Sequence, residues 1–329
     1  MSSGLRELCL YYCNRLSFAE VAKLVERVSG ERLLCEQTLC NWAQEKAREV
    51  SAALRSEVAA ARSLPLPAVD EAVDVYDAPS EEVLVMTDAI QVKAQKPTRE
   101  RAGRTTKREK KAKKRVSTDL LLLEGRDGSF RYLSAGLDGE ASLREVTRAH
   151  LGRQWGGHPG PLPVVAITDG ARSIRSMLDE LFGPSLKVIL DWYHLAKRTY
   201  QLLSMVAHSK AERERLERRV SELLWRGRVS EVLSYLRDVP ARREEALSSL
   251  LLYLENHASE IIDYERRAKA GKPIGSGRME KAVDQTVGPR QKKKGMSWSE
   301  TGSRALSLLK VVELNGEWKR LWDTAPIAA

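Results

Sequence analysis

Residues 163–194, PVVAITDGARSIRSMLDELFGPSLKVILDWYH, decide the fold. An apolar run from Pro163 to Thr168 stops on Asp169-Gly170, which reads as a strand ending in a turn. Helical spacing then carries the chain to about Phe182. A second short apolar run, Leu186 to Leu190, closes on Asp191-Trp-Tyr-His194. Strand, helix and strand in succession place this part of the chain in the α/β class.

Upstream, Val83-Leu-Val-Met86 leads to Asp88, Thr118-Asp-Leu-Leu-Leu-Leu123 follows a long cationic loop, and Phe130-Arg-Tyr-Leu-Ser-Ala135 follows a tight connection. Three such strands predict an antiparallel meander. A helix is expected from about Ser142 to Arg153. Downstream, residues 195–272 are charged and helical in pattern with no strand signal, so an all-α insertion is expected. It leads into Gly275-Ser276-Gly277-Arg278-Met279-Glu280, and a last helix spans about Glu300 to Leu321. Pattern alone supports a mixed α/β domain with an antiparallel start. The order β-β-β-α-β-α-β-α is also that of the ribonuclease-H-like fold.

Residues 4–48 read as a compact helical unit. Ser17-Phe-Ala-Glu20 is a capping-box pattern, and Ser29-Gly30 breaks the helix it opens. A further helix is expected from about Cys35 through Trp42. Two helices about a short turn fit a helix-turn-helix with Glu36, Gln37, Thr38 and Asn41 on the outer face, or an ordinary helical hairpin. Residues 50–80 then begin as a helical arm and end in the Pro-containing, acidic connector LPLPAVDEAVDVYDAPSEE. The expected organisation is a helix-turn-helix unit over 1–50, a linker over 51–82, a core in two parts over 83–194 and 273–329, and the helical insertion over 195–272.

Charged residues make up 30% and hydrophobic residues 42% of the 329 residues, an ordinary globular balance. No apolar run approaches the roughly 18 residues of a membrane span, and no signal segment opens the chain. A cytoplasmic, nucleoid-associated protein without a membrane partner is expected. Cys9, Cys13, Cys35 and Cys40 have looser spacing than common zinc knuckles, which favours buried apolar thiols over a zinc site or disulfides.

The net charge is +10. Residues 98–115, TRERAGRTTKREKKAKKR, hold ten Lys/Arg against two Glu, or +8 of that total. The run is a candidate phosphate-binding loop, with Arg104, Lys107, Arg108, Lys110, Lys111, Lys113, Lys114 and Arg115 as its contacts. A second basic cluster, Arg290-Gln-Lys-Lys-Lys294, adds Lys292 and Lys293.

Asp88 and Asp169 each sit where a strand is expected to end, the usual place for catalytic groups in α/β sheets. Glu280 shares a helix face with Val283 and Val287, which points it toward the core side. A carboxylate so placed needs a counter-charge, a hydrogen bond or a metal. Three carboxylates from two strand ends and a helix start form an oxygen-rich set suited to a pair of Mg²⁺ ions. Asp191-x-x-His194 reads either as part of such a metal site or as a structural or phosphate-positioning pair. No Walker loop, dinucleotide glycine fingerprint, H-E-x-x-H or nucleophile elbow is present.

The segment Gly275-Ser276-Gly277, Glu280, Gly288-Pro-Arg290-Gln-Lys, Gly295-Met296-Ser297-Trp298-Ser299 and Gly302 resembles the C-terminal signature of bacterial insertion-sequence transposases of the Kra and Lre types. These are DDE transposases near the Mutator-like group. The D-W-Y-H stretch resembles their D-x-x-H motif, and the resemblance covers roughly residues 83–320. It implies a ribonuclease-H-like core, with Asp88, Asp169 and Glu280 as the triad that binds two Mg²⁺ ions, Mn²⁺ being an acceptable substitute. It also implies Asp191 and His194 as accessory groups, and Arg290 and Trp298 near the active site or the DNA. The substrate implied is double-stranded DNA carrying terminal inverted repeats, together with target DNA. Joining two ends implies a homodimer or larger assembly. The short stretch ahead of the helix-turn-helix departs from the relatives and implies missing end-recognition elements. A DNA-binding regulator, an inactive transposase remnant and a ribonuclease-H-like nuclease without strand transfer are the alternatives.

Overall fold

A computed structural model of the chain describes residues 2–77, 82–95 and 115–323. Three helices come first: α1 (Ser3–Cys13), α2 (Phe18–Ser29) and α3 (Glu36–Ala61). At the start of α2, Glu20 N–H donates to Ser17 Oγ at 3.2 Å and Ser17 N–H donates to the Glu20 carboxylate at 2.7 Å. This reciprocal cap satisfies two otherwise unpaired donors. Gly30 ends the helix in the left-handed region at φ 79°.

Helix α3 runs unbroken from Glu36 to Ala61 and takes in the helical arm expected after residue 50. Leu39, Ala43, Ala47 and Val50 form a buried stripe along it. The Ala-rich stretch that follows contains no Gly or Pro, so nothing stops the helix before Ala61. Residues 51–61 therefore form that arm as a continuation of α3. Ser51 is fully buried, and its Oγ accepts from Leu137 N–H at 2.8 Å. The chain beyond is also held down: Val69 bridges to Leu162, and Val73 and Val75 are buried.

The sheet and its helices follow: β1 (Val83–Lys93), β2 (Arg115–Glu124), β3 (Phe130–Ser134), α4 (Leu143–Trp155), β4 (Val164–Thr168), α5 (Arg172–Phe182) and β5 (Lys187–Leu190). The strand order is β3-β2-β1-β4-β5. Strand β2 pairs antiparallel with β1 and β3, whereas β4 runs parallel to β1 and β5. The protein is thus a mixed α/β structure. Both sheet faces are covered, which explains the unbroken apolar runs in β2 and β4. Leu84, Met86, Leu120, Leu122, Val165 and Ile167 face one core. Val83, Val85, Leu121, Leu123, Val164 and Ala166 face the other, where Leu151, Trp155, Leu178 and Phe182 of α4 and α5 cover them.

Eight more helices are α6 (Trp192–Val206), α7 (Lys210–Trp225), α8 (Val229–Arg237), α9 (Glu244–Asn256), α10 (Tyr264–Lys269), α11 (Gly277–Gln291), α12 (Glu300–Leu314) and α13 (Arg320–Asp323). Helices α6 to α10 make the expected helical stretch. Trp192, Trp225 and Tyr264 pack together, with Trp192 centred 4.8 Å from Trp225 and 5.1 Å from Tyr264. The buried Tyr264 hydroxyl donates to Leu190 O at 2.7 Å, fastening this stretch to the end of β5.

The N-terminal helices are built into the same core. Helix α3 packs on α12. Arg290 of α11 is 3% exposed, donates from Nε to Cys13 O at 2.9 Å and lies over the rings of Phe18 and Trp298. Arg15 pairs with Glu313 of α12. No helix among the described residues is long and apolar enough to cross a membrane.

Burial, with Arg131 and Arg153 nearby, pushes His150 of α4 down to about 4. The unfolded chain takes up this proton near the ordinary value of about 6.5. The unfolded state thus binds more protons between those values, and stability falls as pH drops through that window. His150→Gln is expected to flatten the slope of unfolding midpoint against pH between about 6.5 and 4.

Candidate active site

Strand register brings the two upstream aspartates together. Asp88 lies inside β1, not at its end, and pairs with Leu120 across β2. The parallel pairing of β1 with β4 stops at Met86↔Ile167. Two residues further along each strand are Asp88 and Asp169, so continuing the register sets one beside the other. Burial raises the Asp88 carboxyl above its usual range; a hydrogen bond from Ala89 N–H opposes this, the charge of Asp169 raises it further, and His194 and Lys292 hold it down. Asp169 is half-buried and accepts from Ala171 N–H at 2.9 Å through one oxygen.

The third strand end carries Asp191, which is 1% exposed. Its Oδ1 accepts from Tyr193 N–H at 2.6 Å and His194 N–H at 3.0 Å, capping α6. Its Oδ2 accepts from the backbone N–H and the hydroxyl of Ser276, both at 2.5 Å. Burial works against the ionised form, but these bonds and His194 outweigh it and hold the carboxyl far below the usual range. Asp191 thus joins the D-x-x-H stretch to the Gly-Ser-Gly lead-in of α11. Gly275 is required there, because a Cβ would lie 2.6 Å from the Tyr193 ring.

His194 Nδ1 stands 3.5 Å from Asp191 Oδ1, an ion-pair contact and not a hydrogen bond. The Asp191 carboxylate raises its basicity, burial opposes, and the charges of Asp169 and Glu280 raise it further. Glu280 sits in the first turn of α11, the favourable end of the helix dipole for an anion. Its side chain is exposed, which corrects the core-side orientation expected from its spacing to Val283 and Val287. Met279, Ala282, Val283 and Val287 bury the face of α11 that packs toward the sheet. Asp88 thus feels the charges of Asp169 and His194, and His194 feels those of Asp169 and Glu280.

Their oxygen donors suit Mg²⁺ in chemistry, and the burial of Asp88, with the nearby charge of Asp169, is of the kind a bound cation offsets. Among the described residues, however, no three His, Cys, Asp or Glu side chains are grouped closely enough to hold a metal ion. The cysteines form no such group either: Cys9 and Cys13 are buried, Cys35 is exposed and Cys40 partly so. A hollow lined by Val58, Ala61, Arg62, Glu145, Arg148 and Ala149 contains none of the carboxylates discussed above.

Three supporting residues, Arg175, His257 and Glu260, lie outside the motifs read from the sequence. His257, at the end of α9, comes so close to the Asp169 turn that a Cβ on Gly170 would lie 2.7 Å from His257 Cε1. Gly170 also has a φ of 84°, so both space and backbone demand glycine. His257 Nδ1 lies 2.5 Å from Glu260 Oε2, and the buried Glu260 also pairs with Arg175 of α5. Burial and then Arg175 lower the His257 basicity, while Asp169 acts in the opposite direction. The pair His257-x-x-Glu260 could have been read as i,i+3 partners, but only the fold places them under a strand end some 90 residues away.

Among the candidate DNA contacts, Gln37 and Asn41 are exposed and hydrogen-bonded to each other at 2.8 Å. Thr38 is half-buried with its hydroxyl 3.2 Å from Cys35 Sγ. Arg115, Lys292 and Lys293 are exposed. Arg104, Lys107, Arg108, Lys110, Lys111, Lys113 and Lys114 lie outside the described residues. Arg290 and Trp298 differ from expectation. Trp298 is 8% exposed and donates from Nε1 to Gln291 O at 3.1 Å, while Arg290 spends its bonds on Cys13 and Met296. Both are buried, and they hold α11 against the N-terminal helices and the end of β1.

The class that the fold defines is a mixed α/β protein with a five-stranded sheet, with α11 packed on β1 and β2. Residues 158–323, just over half of the chain, match the model of an uncharacterised protein family, UPF0236. The chain belongs to that family. No curated protein matches it.

Proposed function

We propose that the chain is a metal-dependent DNA strand-cleaving and strand-joining enzyme, a transposase of a bacterial insertion sequence with a ribonuclease-H-like core. The observation that carries this reading is the register that sets Asp88 beside Asp169 where β1 parts from β4. The antiparallel meander followed by two parallel strands supports the fold assignment. Asp88, Asp169 and Glu280 are the groups that would hold two Mg²⁺ ions. Bound there, the ions would stabilise the charge on the attacking and leaving oxygens of a phosphodiester.

The chain's own residues supply the rest. Glu280 must turn toward the strand ends, a rotamer change open to an exposed side chain. Asp191 holds the Gly-Ser-Gly turn so that α11 starts over the sheet edge. His194, made more basic by Asp191 and the neighbouring carboxylates, would offer a proton donor or a cation to a phosphate oxygen. Gln37 and Asn41 would read duplex ends, and the basic segment 98–115 would bind phosphates without regard to sequence.

The test is incubation with duplex DNA taken from the flanks of the coding region, with Mg²⁺ or with EDTA. Nicks with 3′-hydroxyl ends at the element boundary, followed by joined products, are the expected result. A second reading is a DNA-binding protein that does not cut, favoured by the absence of a closed three-ligand group among the described residues. It predicts end binding with no Mg²⁺-dependent product. Nicks without joining would instead indicate a nuclease.

A further inference from the structure

We propose that the exposed face of α6 is a stacking track for an unpaired DNA strand leaving the carboxylate site, formed by Tyr193, Lys197 and Tyr200 with Arg213 alongside. This rests on the reading of that site as a DNA-processing centre. Among the described residues most large apolar side chains are covered, and the strongly exposed ones include two aromatics, Tyr193 at 61% and Tyr200 at 49%. Both belong to α6. Seven residues apart, they lie on one face of the helix, separated by about 10 Å along its axis. Lys197, four residues after Tyr193, is exposed on the same face. The Arg213 guanidinium stands 5.5 Å from the centre of the Tyr200 ring.

Alternating rings and cations suit a single strand better than any apolar partner. Every unpaired base offers a face to stack on, and every nucleotide brings a phosphate. The track begins at the site itself, since Tyr193 lies between the capping Asp191 and His194. One edge of its ring, Cδ2 and Cε2, lies over Gly275, where an added Cβ would stand 2.6 and 2.8 Å away. The rest of the ring is open, with Tyr193 61% exposed, and offers a face for a base to stack on. Duplex DNA keeps its bases stacked on each other, so the track discriminates for unpaired strands.

The test uses the full chain and oligonucleotides containing 2-aminopurine, whose fluorescence is quenched by stacking, in single-stranded and duplex form. Tyr193→Leu, which keeps apolar bulk beside Gly275 but removes the ring, is expected to weaken single-strand binding roughly 5- to 100-fold and to relieve the quenching. Duplex binding should stay within about twofold, and Tyr193→Trp should restore single-strand binding. Should Tyr193→Leu fail to fold by circular dichroism, Tyr200→Leu carries the same expectation, because Tyr200 does not rest on Gly275. Unchanged single-strand binding, or equal weakening on both forms of DNA, would overturn the track. A wild-type protein that cuts DNA while the tyrosine variants behave like it would sink the track alone. A wild-type protein that binds no DNA would sink the functional reading as well.

Discussion

Glu280→Gln is expected to abolish Mg²⁺-dependent cleavage while leaving binding to DNA ends within a few fold. The substitution keeps the size and polarity of the side chain and removes only its charge. Glu280 is exposed in the first turn of α11 and makes no buried contact, so folding should be unaffected. Losing one anionic ligand of a metal pair forfeits several kcal/mol of transition-state stabilisation, a rate loss on the order of 10³-fold or more. Asp88→Asn and Asp169→Asn should behave in the same way. Asp191→Asn should differ, because it would set an amide NH₂ against the N–H and hydroxyl of Ser276. Its signature is a lower unfolding midpoint, from about 1–3 kcal/mol of lost stability. Full cleavage by Glu280→Gln would remove that residue from the mechanism. If Asp191→Asn stopped cleavage while folded and Asp169→Asn did not, the second carboxylate would be Asp191.

The second large effect concerns stability. Glu82→Ala is expected to destabilise the protein by about 3–5 kcal/mol, the usual result of removing one partner from a buried ion pair. Arg267 is fully buried and binds both Glu82 oxygens, Nη1 to Oε1 at 2.9 Å and Nη2 to Oε2 at 2.8 Å. It also donates to Val75 O and Pro273 O, and Lys272 donates to Glu82 at 2.8 Å. The network ties the entry to β1, the end of the helical stretch and the lead-in to α11 in one place. Removing Glu82 leaves the fully buried Arg267 guanidinium without its carboxylate in a water-poor site. Chemical unfolding monitored by circular dichroism checks this, and a midpoint equal to wild type would show that the network is solvent-screened.

Much of the scaffold could be read from residues alone. The capping box at Ser17 and Glu20 forms because its partners are three residues apart. The apolar runs at 118–123 and 163–168 become strands because both sheet faces need covering. The strand-end reading failed at Asp88, since β1 continues to Lys93 against β2 after leaving β4. Where a strand changes from two partners to one depends on its neighbours, and no local pattern records it. The helical arm expected after residue 50 was legible from its spacing, but not its burial: Ser51 and Ala61 are buried in the assembled fold. Arg290 likewise looked like a DNA contact as part of a basic cluster, and packing between Phe18 and Trp298 turned it inward.

Composition and order of residues by themselves determined the α/β class, the helical stretch between β5 and α11, and the short list of acidic groups able to do chemistry. Those features follow from periodicity, charge and spacing, which act over a few residues. Tertiary structure decided which acidic groups meet. It set Asp88 beside Asp169 through the β1–β4 register, consumed Asp191 in hydrogen bonds to Ser276, and brought His257 and Glu260 beneath the Asp169 turn. Register, burial and long-range contact belong to the assembled sheet, because each is defined only once separate segments share the same space.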